Sequence, residues 1–232
     1  IAVGLNYRSH IGDREPAPYP GLFAKYPTTL IAHGEDIITP PDSESLHYEG
    51  ELVVVIGKEA KNVSEADALD HVFGYTCAND VSARRWQKRG GGGQWVRGKS
   101  FDRFCPLGPV LVTADELPDQ QRLSIECRLN GRLMQAGNSA DMIFPVAELI
   151  SRLSQDTTLL PGTLILTGSP PGVGFARKPP VFLAAGDRVE VRRLDGHVGR
   201  RAPHGDPDIG VGEGRRVVDP VPHHDDASAF LL

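Results

Sequence analysis

Cysteine is scarce in this chain. Its 232 residues contain 3, at positions 77, 105 and 127, with neither the paired spacing of a zinc site nor enough of them for a disulfide framework. Such thiols in apolar surroundings suit a reducing compartment and act as small buried hydrophobes. Aromatic residues are few, at 6%, and no apolar run reaches the ~20 residues of a membrane-spanning helix. Basic residues are in deficit as well: 25 Lys and Arg against 30 Asp and Glu give a formal charge of -5, with no long basic run. Nucleic acid and membrane are therefore not expected as partners, and a small ligand is. No secretion signal is visible, which predicts a cytoplasmic protein, or a mitochondrial one should a targeting segment precede Ile1. Glycine and proline, by contrast, are plentiful at 26 and 19. Turns and short strands should outnumber long helices.

The run His47-Tyr48-Glu49-Gly50-Glu51-Leu52-Val53-Val54-Val55-Ile56-Gly57 predicts a buried strand rich in β-branched residues. Successive side chains alternate faces, so Glu49 and Glu51 share one, with Cα atoms ~6.6 Å apart. Gly50 leaves the opposite face bare. Two carboxylates side by side at the mouth of an apolar strand repel and resist desolvation, so a cation or strong donors between them would keep both ionised. A solvated strand entrance is the alternative that this stretch alone leaves open.

Further candidates stand at predicted strand ends. A strand over residues 1–5 delivers His10 to a Pro-rich loop, where Asp13 follows at the spacing that can orient a general base, although a surface His beside an Asp is common. A strand over 75–78 ends at Asn79-Asp80, giving a third carboxylate. If the next segment turns helical, Asp80, Arg84 and Gln87 project from one face and could hold a metal and an anion together; otherwise they form an ordinary exposed face. Lys99, between Gly98 and Ser100, is a candidate for stabilising an oxyanion, against the plain reading of a solvated lysine. Thr167-Gly168-Ser169-Pro170-Pro171-Gly172-Val173-Gly174 follows a strand over 163–166 and reads as a carboxylate nest or a Gly/Pro turn. The glycines at 90–93 read as a mobile loop, not a phosphate cradle.

Helical spacing predicts helices over 64–73, capped by Ser64, and over 145–153, entered through Pro145. Asn130-Gly131 predicts a hairpin turn. From Asp195 onward Gly, Pro, His and charged residues dominate, so an ordered domain over 1–194 is expected, followed by an atypical, poorly packed tail over 195–232. His223-His224 beside Asp225-Asp226 falls in that tail and reads as solvated.

Several segments together resemble the fumarylacetoacetate hydrolase family: Gly4-Leu5-Asn6-Tyr7-Arg8-Ser9-His10, Glu49-Gly50-Glu51, Asn79-Asp80-Val81-Ser82-Ala83-Arg84, Lys99-Ser100-Phe101-Asp102, Phe104-Cys105-Pro106-Leu107-Gly108-Pro109 and residues 167–174. Their order and joint presence are specific. The resemblance implies an α+β, predominantly β fold, a mixed β-sandwich roll with a few short helices, usually as a homodimer. It implies Mg2+ or Mn2+, with Ca2+ as a further possibility, held by Glu49, Glu51 and Asp80, a set of oxygen ligands suited to hard cations. It implies a 2-oxo or 1,3-diketo acid substrate held by Arg84, Gln87 and Thr167, with His10 and its paired acid activating water and Lys99 stabilising negative charge. Cleavage of a C–C bond is the first expectation, tautomerisation or decarboxylation of oxaloacetate the second, and a catalytically silent oxo-acid binding module the third. The chain departs from the family pattern in three places. Asp13 stands where the family usually has Glu, with Glu15 nearby; Arg85 stands at a common Asp position; and the ending lacks the usual Gly-x-Leu-x-Asn pattern.

Overall fold

A computed structural model describes residues 1–194, apart from 42, 44, 89 and 118, together with residues 215–218. Strands dominate and helices are short, an α+β fold that is mainly β. The main sheet has six strands in the order Val112–Thr113, Val72–Asn79, Gly50–Ile56, Leu164–Leu166, Ala2–Gly4 and Gly21–Phe23. Its centre is the β-branched run, paired antiparallel on one side with Val72–Asn79, Glu51 opposite Ala78, and on the other with Leu164–Leu166. A second sheet of five strands runs Arg132–Asn138, Ser124–Leu129, Arg188–Leu194, Arg215–Val218 and Ile37–Ile38.

The two faces of the central strand serve different ends. Leu52, Val54 and Ile56 join Ile125, Leu149, Ile150 and Ile165 in the largest apolar cluster, which the helix Val146–Leu153 covers. Gly50 points the same way. A Cβ there would stand 3.0 Å from Cys127 Cβ and 3.1 Å from a Val191 methyl, so the bare face lets the second sheet lie close against the first. The opposite face carries Glu51, followed by Val53, which packs with Ala2, Phe23, Ala78, Cys105 and Leu166.

Most predicted elements are found. The helix entered through Pro145 runs Val146–Leu153, and Asn130-Gly131 joins two antiparallel strands with positive φ at both residues. The helix expected over 64–73 shrinks to a 3-10 turn, Ala68–His71, while Val72 and Phe73 enter the sheet. The Ser64 hydroxyl accepts from the Asp67 N–H, ahead of the 3-10 turn rather than as its cap, and pairing of Val72 with Ile56 draws the end of the segment into the sheet. The paired histidines at 223–224 lie outside the described residues, as does the tail apart from Arg215–Val218, which is a strand. No helix among the described residues is long and apolar enough to cross a membrane.

Candidate active site

Adjacent antiparallel strands bring the three acids together. Glu49 and Glu51 flank the start of Gly50–Ile56, and Asp80 follows the end of its neighbour Val72–Asn79, where the Asp80 N–H donates to the Glu49 carbonyl at 2.7 Å. The Asn79 side chain fixes the corner from the other direction by accepting from the Glu49 N–H at 2.9 Å. Glu49, Glu51 and Asp80 are buried, and each offers a carboxylate oxygen within 4.8 Å of the others.

Lys99 enters this cluster from the helix Val96–Lys99. Its Nζ lies 2.7 Å from Glu49 Oε2 and 2.5 Å from Asp80 Oδ2, and the side chain is buried. The sequence gives no sign of a second cation, Lys25, whose Nζ donates to Asp80 Oδ1 at 2.7 Å and to the Lys99 carbonyl. Lys25 follows the edge strand Gly21–Phe23, and only the pairing of that strand with Ala2–Gly4 carries it to a residue 55 positions away. The Phe23 ring lies 5.1 Å from Lys99 Nζ, an apolar wall that also favours the cation.

Three carboxylates against two ammonium groups leave one negative charge in a buried site. The ionisation equilibria reflect that surplus. Burial, reinforced by the charges of Asp80 and Glu49, pushes Glu51 well above the usual carboxylate range, against the pull of Lys99 and the Gly168 N–H. Burial also acts to raise Asp80, but Lys25 and Lys99 overcome it and hold the group below its ordinary value. For Lys99 burial opposes the charge, and Asp80, Glu49 and Glu51 more than offset it, so its ammonium is retained. A hard divalent cation fits this donor set: the available atoms are carboxylate oxygens, the local charge is negative, and Glu51 is the acid left without an ammonium group.

The Gly/Pro turn closes one side. The Gly168 N–H donates to Glu51 Oε2 at 2.9 Å, and the Ser169 hydroxyl to Glu49 Oε2 at 3.3 Å. Thr167 is buried and its hydroxyl donates to the Leu52 carbonyl at 2.9 Å, which anchors the turn to the acidic strand. Gln135, also buried, extends this anchoring: its Oε1 accepts from the Gly50 N–H and its Nε2 donates to the Pro170 carbonyl. The same carbonyl lies 3.3 Å from Nδ1 of His10, on the short helix Arg8–Ile11. Because a carbonyl only accepts, the contact requires a proton on Nδ1, and in the neutral ring Nε2 is then the acceptor. Asp13 and Glu15 are exposed, and among the described residues neither forms a hydrogen bond or ion pair with His10.

The segment after Asp80 turns helical only from Arg84, as Arg84–Lys88, because the strand Ser82–Ala83 intervenes; Asp80 therefore precedes the helix and does not share the helical face expected for it with Arg84 and Gln87. Arg84 Nη1 donates to Gln87 Oε1 at 3.0 Å, so these two expected substrate ligands stand together, with Gln87 buried. Burial lowers the Arg84 pKa while the Glu49 carboxylate raises it, so the guanidinium feels the acidic centre. His47 lies beside that centre too, its Nδ1 3.5 Å from Glu49 Oε1, and burial holds its imidazole neutral by lowering the pKa to about 4.

Known proteins share this architecture and much of the sequence. Mitochondrial oxaloacetate tautomerase FAHD2B of Bos taurus is 50% identical over 192 residues, covering 82% of this chain and 61% of that protein. Mitochondrial oxaloacetate tautomerase FAHD2A of Homo sapiens is 48% identical over the same span. The chain thus spans about three fifths of the length of these curated relatives. Among solved structures, fumarylacetoacetate hydrolase from Exiguobacterium antarcticum superposes with a TM-score of 0.82 at 38% identity, covering 94% of this chain and 74% of that one. The 2-hydroxyhepta-2,4-diene-1,7-dioate isomerase from Mycobacterium marinum gives 0.75 at 37%, covering 94% and 73%. Residues 1–211 match the family model described as fumarylacetoacetate (FAA) hydrolase C-terminal, and the chain belongs to the fumarylacetoacetate hydrolase family.

Proposed function

We propose that this chain catalyses keto–enol tautomerisation of oxaloacetate or a near relative among 2-oxo acids, with a divalent cation, Mg2+ or Mn2+, held by Glu49, Glu51 and Asp80. The observation that carries this reading is the state of His10. Its Nδ1 faces the Pro170 carbonyl at 3.3 Å, an arrangement that in the neutral ring leaves Nε2 to accept a proton, and among the described residues no carboxylate pairs with it to support water activation. Tautomerisation needs no activated water. It needs a base that takes a proton from C3 and an environment that tolerates negative charge on the 2-oxo oxygen until that oxygen is protonated. The relatives that carry the tautomerase name support the same choice over C–C bond hydrolysis, the first expectation from sequence.

His10 Nε2 serves as that base. When bound, a divalent cation supplies Lewis-acid stabilisation of charge on the 2-oxo oxygen. Lys99, kept charged by its acidic neighbours, adds a fixed positive charge that needs no reorganisation as the enolate forms. Arg84 and Gln87 hold the substrate carboxylate, and the buried turn at 167–169 excludes water. The homodimer expected from the family is part of this reading, and light scattering on the purified chain tests it.

The test follows the decay of the enol absorbance of oxaloacetate. Acceleration that depends on Mg2+ or Mn2+ and falls about 100-fold or more in His10→Ala is the expected result. Cleavage of acylpyruvates by the wild type at a rate exceeding tautomerisation would return the assignment to hydrolysis. Oxalate binding with no turnover of either substrate would leave a binding module.

A further inference from the structure

Arg84 does not stand on its helix alone. Its guanidinium carbon lies 3.5 Å above the centroid of the Phe175 ring, a full stacking contact. Phe175 is carried by the one-turn helix Gly174–Ala176, immediately after the Gly/Pro turn that binds Glu49 and Glu51. That helix is seated tightly: a Cβ on Gly174 would lie 2.1 Å from the Val181 carbonyl, and the Val181 N–H donates to the Gly174 carbonyl at 2.9 Å. On the acidic side the Phe175 ring meets the buried His47 ring, centroids 5.1 Å apart. One face of the guanidinium therefore rests on Phe175 and one edge is engaged by Gln87. A free arginine side chain loses considerable rotamer entropy when it takes a carboxylate, whereas one already stacked loses little.

We propose that Phe175 is a positioning residue for Arg84: its ring preorganises the guanidinium, and so sets the affinity of the site for the substrate carboxylate without touching substrate. This rests on the reading of Arg84 as the carboxylate ligand given above. It also accounts for an aromatic residue placed immediately after a Gly/Pro-rich turn that carries no other ring of that kind. The assignment concerns binding more than chemistry, because no reacting atom lies on the ring.

The experiment titrates oxalate calorimetrically into the full chain saturated with Mg2+, in wild type, Arg84→Ala, Phe175→Leu and Phe175→Tyr, with thermal melts of each. Phe175→Leu keeps apolar volume and removes the ring face; it is expected to weaken oxalate binding about tenfold with little change in melting temperature or Mg2+ affinity. Phe175→Tyr keeps the ring and is expected to stay within about twofold of wild type, and turnover should show KM raised in Phe175→Leu with kcat nearly constant. Unchanged oxalate affinity in Phe175→Leu, with Arg84→Ala weakened, would overturn the positioning role and leave Arg84 as the ligand. So would a Phe175→Tyr protein as weak as Phe175→Leu. Unchanged affinity in Arg84→Ala would instead remove the carboxylate role of Arg84 itself, a different failure.

Discussion

Lys99 shows why a buried charge in this site is costly to alter. It neutralises parts of Glu49 and Asp80 in a place that water barely reaches, so its removal leaves carboxylates uncompensated rather than merely deleting an interaction. Lys99→Met should therefore cost about 3 kcal/mol in metal-free protein by urea unfolding, with added Mg2+ restoring part of the loss. A change under 1 kcal/mol would mean that the acids are solvated. His47 makes a pH-dependent contribution of known sign. The folded protein holds its pKa at about 4 against 6.5, so between those values the unfolded chain takes up a proton that the folded protein refuses. Stability should fall as pH falls through that window, by up to about 3 kcal/mol, while above 6.5 the imidazole is neutral in both states and adds no slope. Urea midpoints above and within the window should show a shallower slope for His47→Gln; equal slopes would contradict this. The cysteines are inert by the same logic. All three are buried, and burial raises Cys105 to about 11 and Cys127 further, so a disulfide reagent at mildly alkaline pH should label none until the chain unfolds.

Elements, rather than residues, bring the proposed substrate ligands together. The helices Arg84–Lys88 and Val96–Lys99 touch at Gly98, where a Cβ would stand 2.4 Å from the backbone nitrogen of Gln87. Contact that close needs glycine, and it couples the placement of Gln87 to that of Lys99. Gly98→Ala should cost about 1–3 kcal/mol and weaken oxalate binding together with Mg2+ binding, because the whole helix pair must shift. An alanine variant indistinguishable from wild type in both would show that the pair has slack. At this scale the sequence is legible where spacing and pairing coincide. Glu49 and Glu51 are two apart at the start of a β-branched run, and Asp80 directly follows the strand that is legible after Gly74, so the acidic cluster could be anticipated. The segment at 64–73 shows the limit, since its apolar spacing suits a helix and sheet pairing still claims Val72 and Phe73. Lys25 and Phe175 were illegible for a further reason: each reaches the site through strand pairing or a turn contact across the fold, which no local pattern encodes.

For the whole molecule, the division of labour between the two faces of one strand explains how a small domain carries a charged interior. Leu52, Val54 and Ile56 bury apolar area against the covering helix and the second sheet, while Glu49 and Glu51 face the polar side, where Lys99, Lys25, Gly168 and Ser169 supply most of the compensation. One negative charge is left over, and Glu51 bears the consequence. On the function proposed, a divalent cation completes this balance and presents a 2-oxo acid to His10 and Arg84. The direct measurement is calorimetric titration of the chelated, metal-free chain with Mg2+ and then oxalate, comparing wild type with Glu49→Ala. Wild type should bind Mg2+ and, only after it, oxalate, and the variant should bind neither tightly. A well-folded wild type that binds neither Mg2+ nor Mn2+, or that binds oxalate equally well without metal, would contradict the account.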